Sequence, residues 1–93
     1  MIEQEFEIYP NAKKHRALVD QLVLKAGRSF LDKRRDNPDC RSVVTTNGTD
    51  KTIIICSFME GGKLKHLAFT KEDLPTFTDE FQEEIAKVLH EIP

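Results

Sequence analysis

RSVVTTNGTDKTIIICSFMEGGKLKHLAFT, residues 41–70, is the stretch that decides the fold. Val43-Val44, Ile53-Ile54-Ile55 and Leu67-Ala68-Phe69 are β-prone runs, and each gap between strands carries glycine among polar residues. That pattern predicts three strands in an antiparallel meander. Gly61-Gly62 suits a two-residue primed turn, because both residues accept positive φ. Such a turn pairs Glu60 with Lys63, Met59 with Leu64, Phe58 with Lys65, Ser57 with His66, Cys56 with Leu67, Ile55 with Ala68 and Ile54 with Phe69. At the first hairpin, a four-residue loop over 47–50 sets Val44 opposite Ile53 and Val43 opposite Ile54. A two-residue Asn-Gly turn there would set Val44 against Lys51, a poorer cross-strand pair.

Alternation along these strands sorts the side chains into two faces. One carries Val43, Ile54, Cys56, Phe58, Leu67 and Phe69, and this bulky face is assigned to the helices. The other carries Val44, Ile53, Ile55, Met59, Leu64 and Ala68, with Ser57 and His66 among them. A chain of 93 residues has room for one two-layer core. The second apolar face is therefore expected to meet a partner, with Val44, Ile53, Ile55, Met59 and Leu64 as the protein interface. A homodimer through that face is the simplest version, since a two-fold interface is self-complementary.

Outward from the meander, residues 2–9 alternate Ile2, Phe6 and Ile8 against Glu3, Glu5 and Glu7, a half-buried strand ended by Pro10. Asn11 is a good N-cap for a helix over 12–26 carrying Leu18, Val19, Leu22, Val23 and Ala26. Gly27 stands where a helix would stop, and Ser29 with Asp32 reads as a restart, giving a kink or a second helix over 30–36. Thr70 opens a helical turn that Pro75 ends. Thr78 caps a last helix with Phe81, Ile85, Val88, Leu89 and Ile92 at helical spacing. The expected architecture is a single α+β domain over residues 1–93, two-layered, in the order β-α-β-β-β-α. Its sheet is mainly antiparallel, its helices pack on one face, and the N-terminal strand joins an edge.

The composition is 39% apolar and 32% charged, which suits a folded soluble chain and excludes a disordered one. No apolar run reaches the ~20 residues of a membrane span, and the acidic start lacks a secretory signal. Cys56 lies in the most apolar strand and Cys40 precedes the meander, with nothing that favours a disulfide, so the expected setting is the reducing cytoplasm. Charge is unevenly spread. Residues 11–71 hold thirteen Lys/Arg and six Asp/Glu, whereas residues 72–93 hold seven acids and one Lys. A basic middle is either a nucleic-acid footprint, through Lys33, Arg34, Arg35, Arg41, Lys63 and Lys65, or a body neutralised by its acidic ends. The overall pI of about 5.9 is far below that of a dedicated nucleic-acid module.

No chemical signature stands out. His15, His66 and His90 lie on different elements without metal-ligand spacing, so no metal and no cofactor is expected. Gly61-Gly62-Lys63 joins strand to strand and lacks the spacing of a phosphate loop. Ser57 opposite His66 is a nucleophile–base juxtaposition, but no carboxylate falls beside it to orient the imidazole. The helix, three-strand meander, helix order over 12–91 resembles double-stranded-RNA-binding domains and, more loosely, the Alu-binding proteins of the signal recognition particle. That resemblance implies nucleic-acid binding by a basic start to the last helix, where this chain has the acidic Thr78-Asp-Glu-Phe-Gln-Glu-Glu84. The expected function is a small non-catalytic protein-binding module of inhibitor, immunity or regulatory type. Nucleic-acid binding through the basic middle is the alternative.

Overall fold

Gly61 and Gly62, at φ of 59° and 79°, close the tight turn between β3 (Ile54–Glu60) and β4 (Lys63–Phe69). All seven cross-strand pairs expected from that turn are present. The structure is a computed structural model and describes residues 3–36, 41–46 and 52–90. Cys40, Ile2, Ile92 and the expected loop over 47–50 lie outside the described residues.

Strand β2 (Ser42–Thr45) pairs with β3 in a register two residues from the expected one. Val43 faces Cys56 and Val44 faces Ile55, and the Thr46 N–H donates to the Ile53 carbonyl at 3.2 Å. The connection is thus longer than four residues. A two-residue shift leaves every side chain on its own face, so the sorting of the faces is unaffected.

Strand β1 (Gln4–Ile8) lies parallel to β4, with Gln4 beside Leu64 and Ile8 beside Ala68. Two backbone bonds clamp its ends, Leu64 N–H to the Glu3 carbonyl and Tyr9 N–H to the Ala68 carbonyl, each 2.9 Å. The sheet order is β1-β4-β3-β2. It is a mixed sheet of four strands, which corrects the mainly antiparallel expectation. The exposed β1 edge carries Glu5 and Glu7, and such charges discourage another chain from pairing there.

Since β1 and β2 occupy opposite edges, the chain between them must cross the sheet. It begins with one helical turn, α1 (Pro10–Lys13), with Pro10 in the first turn and Tyr9 as N-cap. Asn11 is not the cap. Its backbone N–H and side-chain Nδ2 donate to Asp73 Oδ1 at 3.2 and 2.8 Å. Helix α2 (Arg16–Asp36) then runs 21 residues without interruption at Gly27, about 31 Å long. The separate second helix over 30–36 does not occur, because a single glycine costs a helix only ~1 kcal/mol and the packed face outweighs it.

Val19, Leu22 and Ala26 of α2 form one core cluster with Val44, Ile53, Ile55 and Ala68. On the other side, a 3₁₀ helix (Lys71–Thr76) and α3 (Asp79–His90) cover the bulky face. There Leu74, Phe77, Phe81 and Ile85 pack with Val43, Ile54, Cys56, Leu67 and Phe69. The domain is therefore α+β with three layers, not two, and its helices flank both faces of the sheet. The central strand requires this arrangement: Ile53, Ile54 and Ile55 point alternately to opposite faces, and all three are fully buried.

Candidate interaction surfaces

Of the residues expected to form a protein interface, Val44, Ile53, Ile55 and Leu64 are buried within the chain and Met59 is half-buried. Val44, Ile53 and Ile55 lie in the core cluster beneath α2, with Ile8, Leu18 and Val23 packed against it. Over Val44, Ile53 and Ile55, the face inferred to need a partner is covered by the chain's own helix. Sequence periodicity counted the apolar faces correctly, but it did not show which helix goes to which.

On that same face Ser57 and His66 form the cross-strand pair predicted from the register. Ser57 Oγ lies 2.6 Å from His66 Nδ1, and His66 Nε2 lies 3.1 Å from Gln4 Oε1. If Nε2 carries the proton and donates to the Gln4 carbonyl, Nδ1 accepts the Ser57 hydroxyl. Phe6 stacks on the imidazole at 4.3 Å between centroids. Both Ser57 and His66 are fully buried. Burial holds the imidazole below its ordinary pKa, favouring the neutral form that this network needs. A serine, a histidine and an orienting amide are thus in line, with Ser57 and His66 out of reach of solvent and Gln4 exposed at the outer end. The arrangement satisfies two buried polar groups in the middle of an apolar layer.

Cys56 is free and buried on the opposite face. Burial pushes its thiol up to about 11, with Arg41 lowering it and Glu84 raising it, so the thiolate is scarce at neutral pH. Among the described residues no group of His, Cys, Asp and Glu side chains converges as a metal site. None of the described helices is long and apolar enough to cross a membrane.

The six basic residues singled out in the sequence differ in the partners they meet. Arg41 pairs with Glu84 at 2.5 Å and stacks over Phe58 and Phe81, at 5.2 and 5.4 Å, so it pins α3 to the sheet. Lys63 meets Glu5 at 3.1 Å and Glu3 at 4.0 Å, and Lys65 meets Glu60 at 3.7 Å. Three of these pairs bring carboxylates from the acidic ends against the basic body. Lys33, Arg34 and Arg35 sit in the last turn of α2, where the helix dipole favours cations. Arg35 lies 3.9 Å from Asp32, and Lys33 and Arg34 have no carboxylate partner among the described residues.

The surface that sequence reading missed is the outward side of α2. Val19, Leu22, Ala26 and Phe30 form its buried side. Ala17, Gln21, Leu24, Arg28, Leu31 and Arg35 fall on the opposite side and are all exposed. Leu24 is 71% exposed and Leu31 49%. Their seven-residue spacing was visible in the sequence, but only the placement of Val19 and Phe30 shows which stripe faces water. Phe6, at 40%, is the other large apolar side chain exposed among the described residues.

No family model matches the chain, and no curated protein or solved structure matches it either.

Proposed function

We propose that this chain is a small non-catalytic module that docks onto another protein, and that it does so through the outward side of α2 rather than through a sheet face. The observation that carries this reading is the pair Leu24 and Leu31, one heptad apart on the solvent side of a 21-residue helix. Isolated exposed leucines are ordinary on a protein surface. Here the two lie in one row with Ala17, flanked by the longer Gln21, Arg28 and Arg35. A row of that period is the seam that a second helix packs against.

Nucleic-acid binding competes for the same helix. Lys25, Arg28, Lys33 and Arg34 have no carboxylate partner among the described residues and would serve phosphates equally well. Two leucines at the centre of the row add nothing to phosphate contact, however. Of the basic residues expected to serve nucleic acid, Arg41, Lys63 and Lys65 are already engaged with carboxylates. This weighs the helix toward protein.

The test is photo-crosslinking in the native host, with a photoreactive residue at Gln21 on the outward side of α2 and a control at Lys87 on α3. A discrete, nuclease-resistant protein adduct from position 21 is expected, absent from position 87 and lost in Leu24→Asp/Leu31→Asp. Equal adducts from both positions, or an adduct removed by nuclease, would overturn the proposal.

A further inference from the structure

The partner's chemistry can be taken further, on the footing of the docking role proposed for α2. We infer that the element received by this surface is an acidic amphipathic helix. The row Ala17, Gln21, Leu24, Arg28, Leu31, Arg35 advances by alternating steps of four and three, and it extends over about 27 Å of helix axis. That is the period of a helix–helix seam. Its small and apolar positions are Ala17, Leu24 and Leu31, and its flanking positions are cationic or amide.

The helix that carries the row is net positive, with six bases against three acids. Within α2, Arg16, Lys25, Arg28, Lys33, Arg34 and Arg35 stand against Asp20, Asp32 and Asp36. Two of those acids are spent on neighbours of the same helix, Asp20 on Arg16 at 3.0 Å and Asp32 on Arg35 at 3.9 Å. All four of these side chains are more than half exposed, so such pairs hold weakly and can exchange for a partner's carboxylates. Lys25 and Arg28 meet no carboxylate among the described residues. A docking helix with leucine-like residues along its seam and Glu or Asp on its flanks would complement both features of the row.

A second copy of α2 fits poorly. Packed parallel in register, Arg28 would face Arg28. Packed antiparallel with Leu24 against Leu31, the two Arg28 side chains again come together near the centre of the seam. Like charges so placed disfavour the pair.

The experiment uses the full chain and three 21-residue capped peptides, read by fluorescence anisotropy. The first repeats Glu-Leu-Glu-Ala-Leu-Glu-Glu three times. The second has Lys in place of every Glu, and the third has Ala in place of every Leu. The first peptide is expected to bind saturably, at least tenfold tighter than either control. Leu24→Ala/Leu31→Ala should weaken it at least tenfold, and Arg28→Glu should weaken the acidic peptide while strengthening the basic one. Circular dichroism checks that each variant, changed only at exposed positions, keeps its fold. Equal binding of acidic and basic peptides, or indifference to these substitutions, would overturn the inference. So would a dimer seen by light scattering that Leu24→Ala/Leu31→Ala dissociates, which would make a second copy the occupant. A 20-base-pair RNA duplex that binds more tightly than the acidic peptide at 150 mM salt would assign the helix to nucleic acid. If the peptides fail while the adduct at position 21 persists, the docking role stands and the acidic-helix partner falls. If both fail, both fall.

Discussion

Replacing Ile55 by alanine tests the central packing claim, that the second sheet face is internal core. Ile55 is fully buried beneath α2 in a cluster with Val19, Leu22, Val44 and Ala68. The substitution removes three carbons, worth ~0.8 kcal/mol each when buried, or about 2.4 kcal/mol in all. The void left between sheet and helix adds a cavity cost, bringing the loss to about 3–4 kcal/mol. A chain of this size is stable by roughly 5–14 kcal/mol, so the variant should fold but unfold at much lower denaturant. The assay is urea unfolding followed by circular dichroism, at 2 and at 100 µM protein. A fall in midpoint of more than ~1 M is expected, independent of protein concentration. Leu24→Ala, at a position 71% exposed, should cost no more than about 0.5 kcal/mol in the same assay. A loss below ~1 kcal/mol for Ile55→Ala would refute the assignment. A midpoint that rises with protein concentration would show that two chains share the face.

Other consequences follow from single residues. His66 is held below its ordinary pKa by burial, so the unfolded chain takes up its proton more readily than the native one does. Its contribution is intact above pH ~6.5 and is lost as pH falls below that, by at most about 1.4 kcal/mol per pH unit. An NMR titration placing His66 at or above 6.5 would contradict this. Asp73 is buried, which pushes its carboxyl up, but bonds from Thr70 and Asn11 outweigh burial and hold it below the usual range. Its stabilisation is therefore present above pH ~3.9 and lost as pH falls through the lower native value. Asp73→Asn should cost about 2–3 kcal/mol in urea unfolding at pH 7, because an amide N–H₂ would be set against donors. Gly27→Ala should stabilise by about 0.5–1 kcal/mol, since an added Cβ meets nothing within 4 Å in the helix interior. A lower melting temperature for that variant would show that the glycine is needed.

Local chemistry made part of this protein legible in advance. The glycine pair with positive φ set the β3–β4 register, and through it the Ser57–His66 contact, because a two-residue turn leaves one way to align its strands. Thr70 and Thr78 capped the elements they precede, since a side-chain oxygen next to free amides acts over three residues. Charge distribution likewise foreshadowed Glu3, Glu5 and Glu84 lying against Lys63 and Arg41. What the tertiary structure alone decided is the pairing of β1 with β4, the continuity of α2 through Gly27, and the division of the helices between the two faces. The first depends on contacts between residues about sixty positions apart, such as Asn11 with Asp73 and Gln4 with His66, and the others on how α2 and α3 pack against strands elsewhere in the chain. The candidate surface belongs to the same class. Leu24 and Leu31 are marked by period in the sequence, yet a helix with leucines on two sides must bury one of them. Only the fit of Val19, Ala26 and Phe30 into the sheet side determined which leucines were left in water.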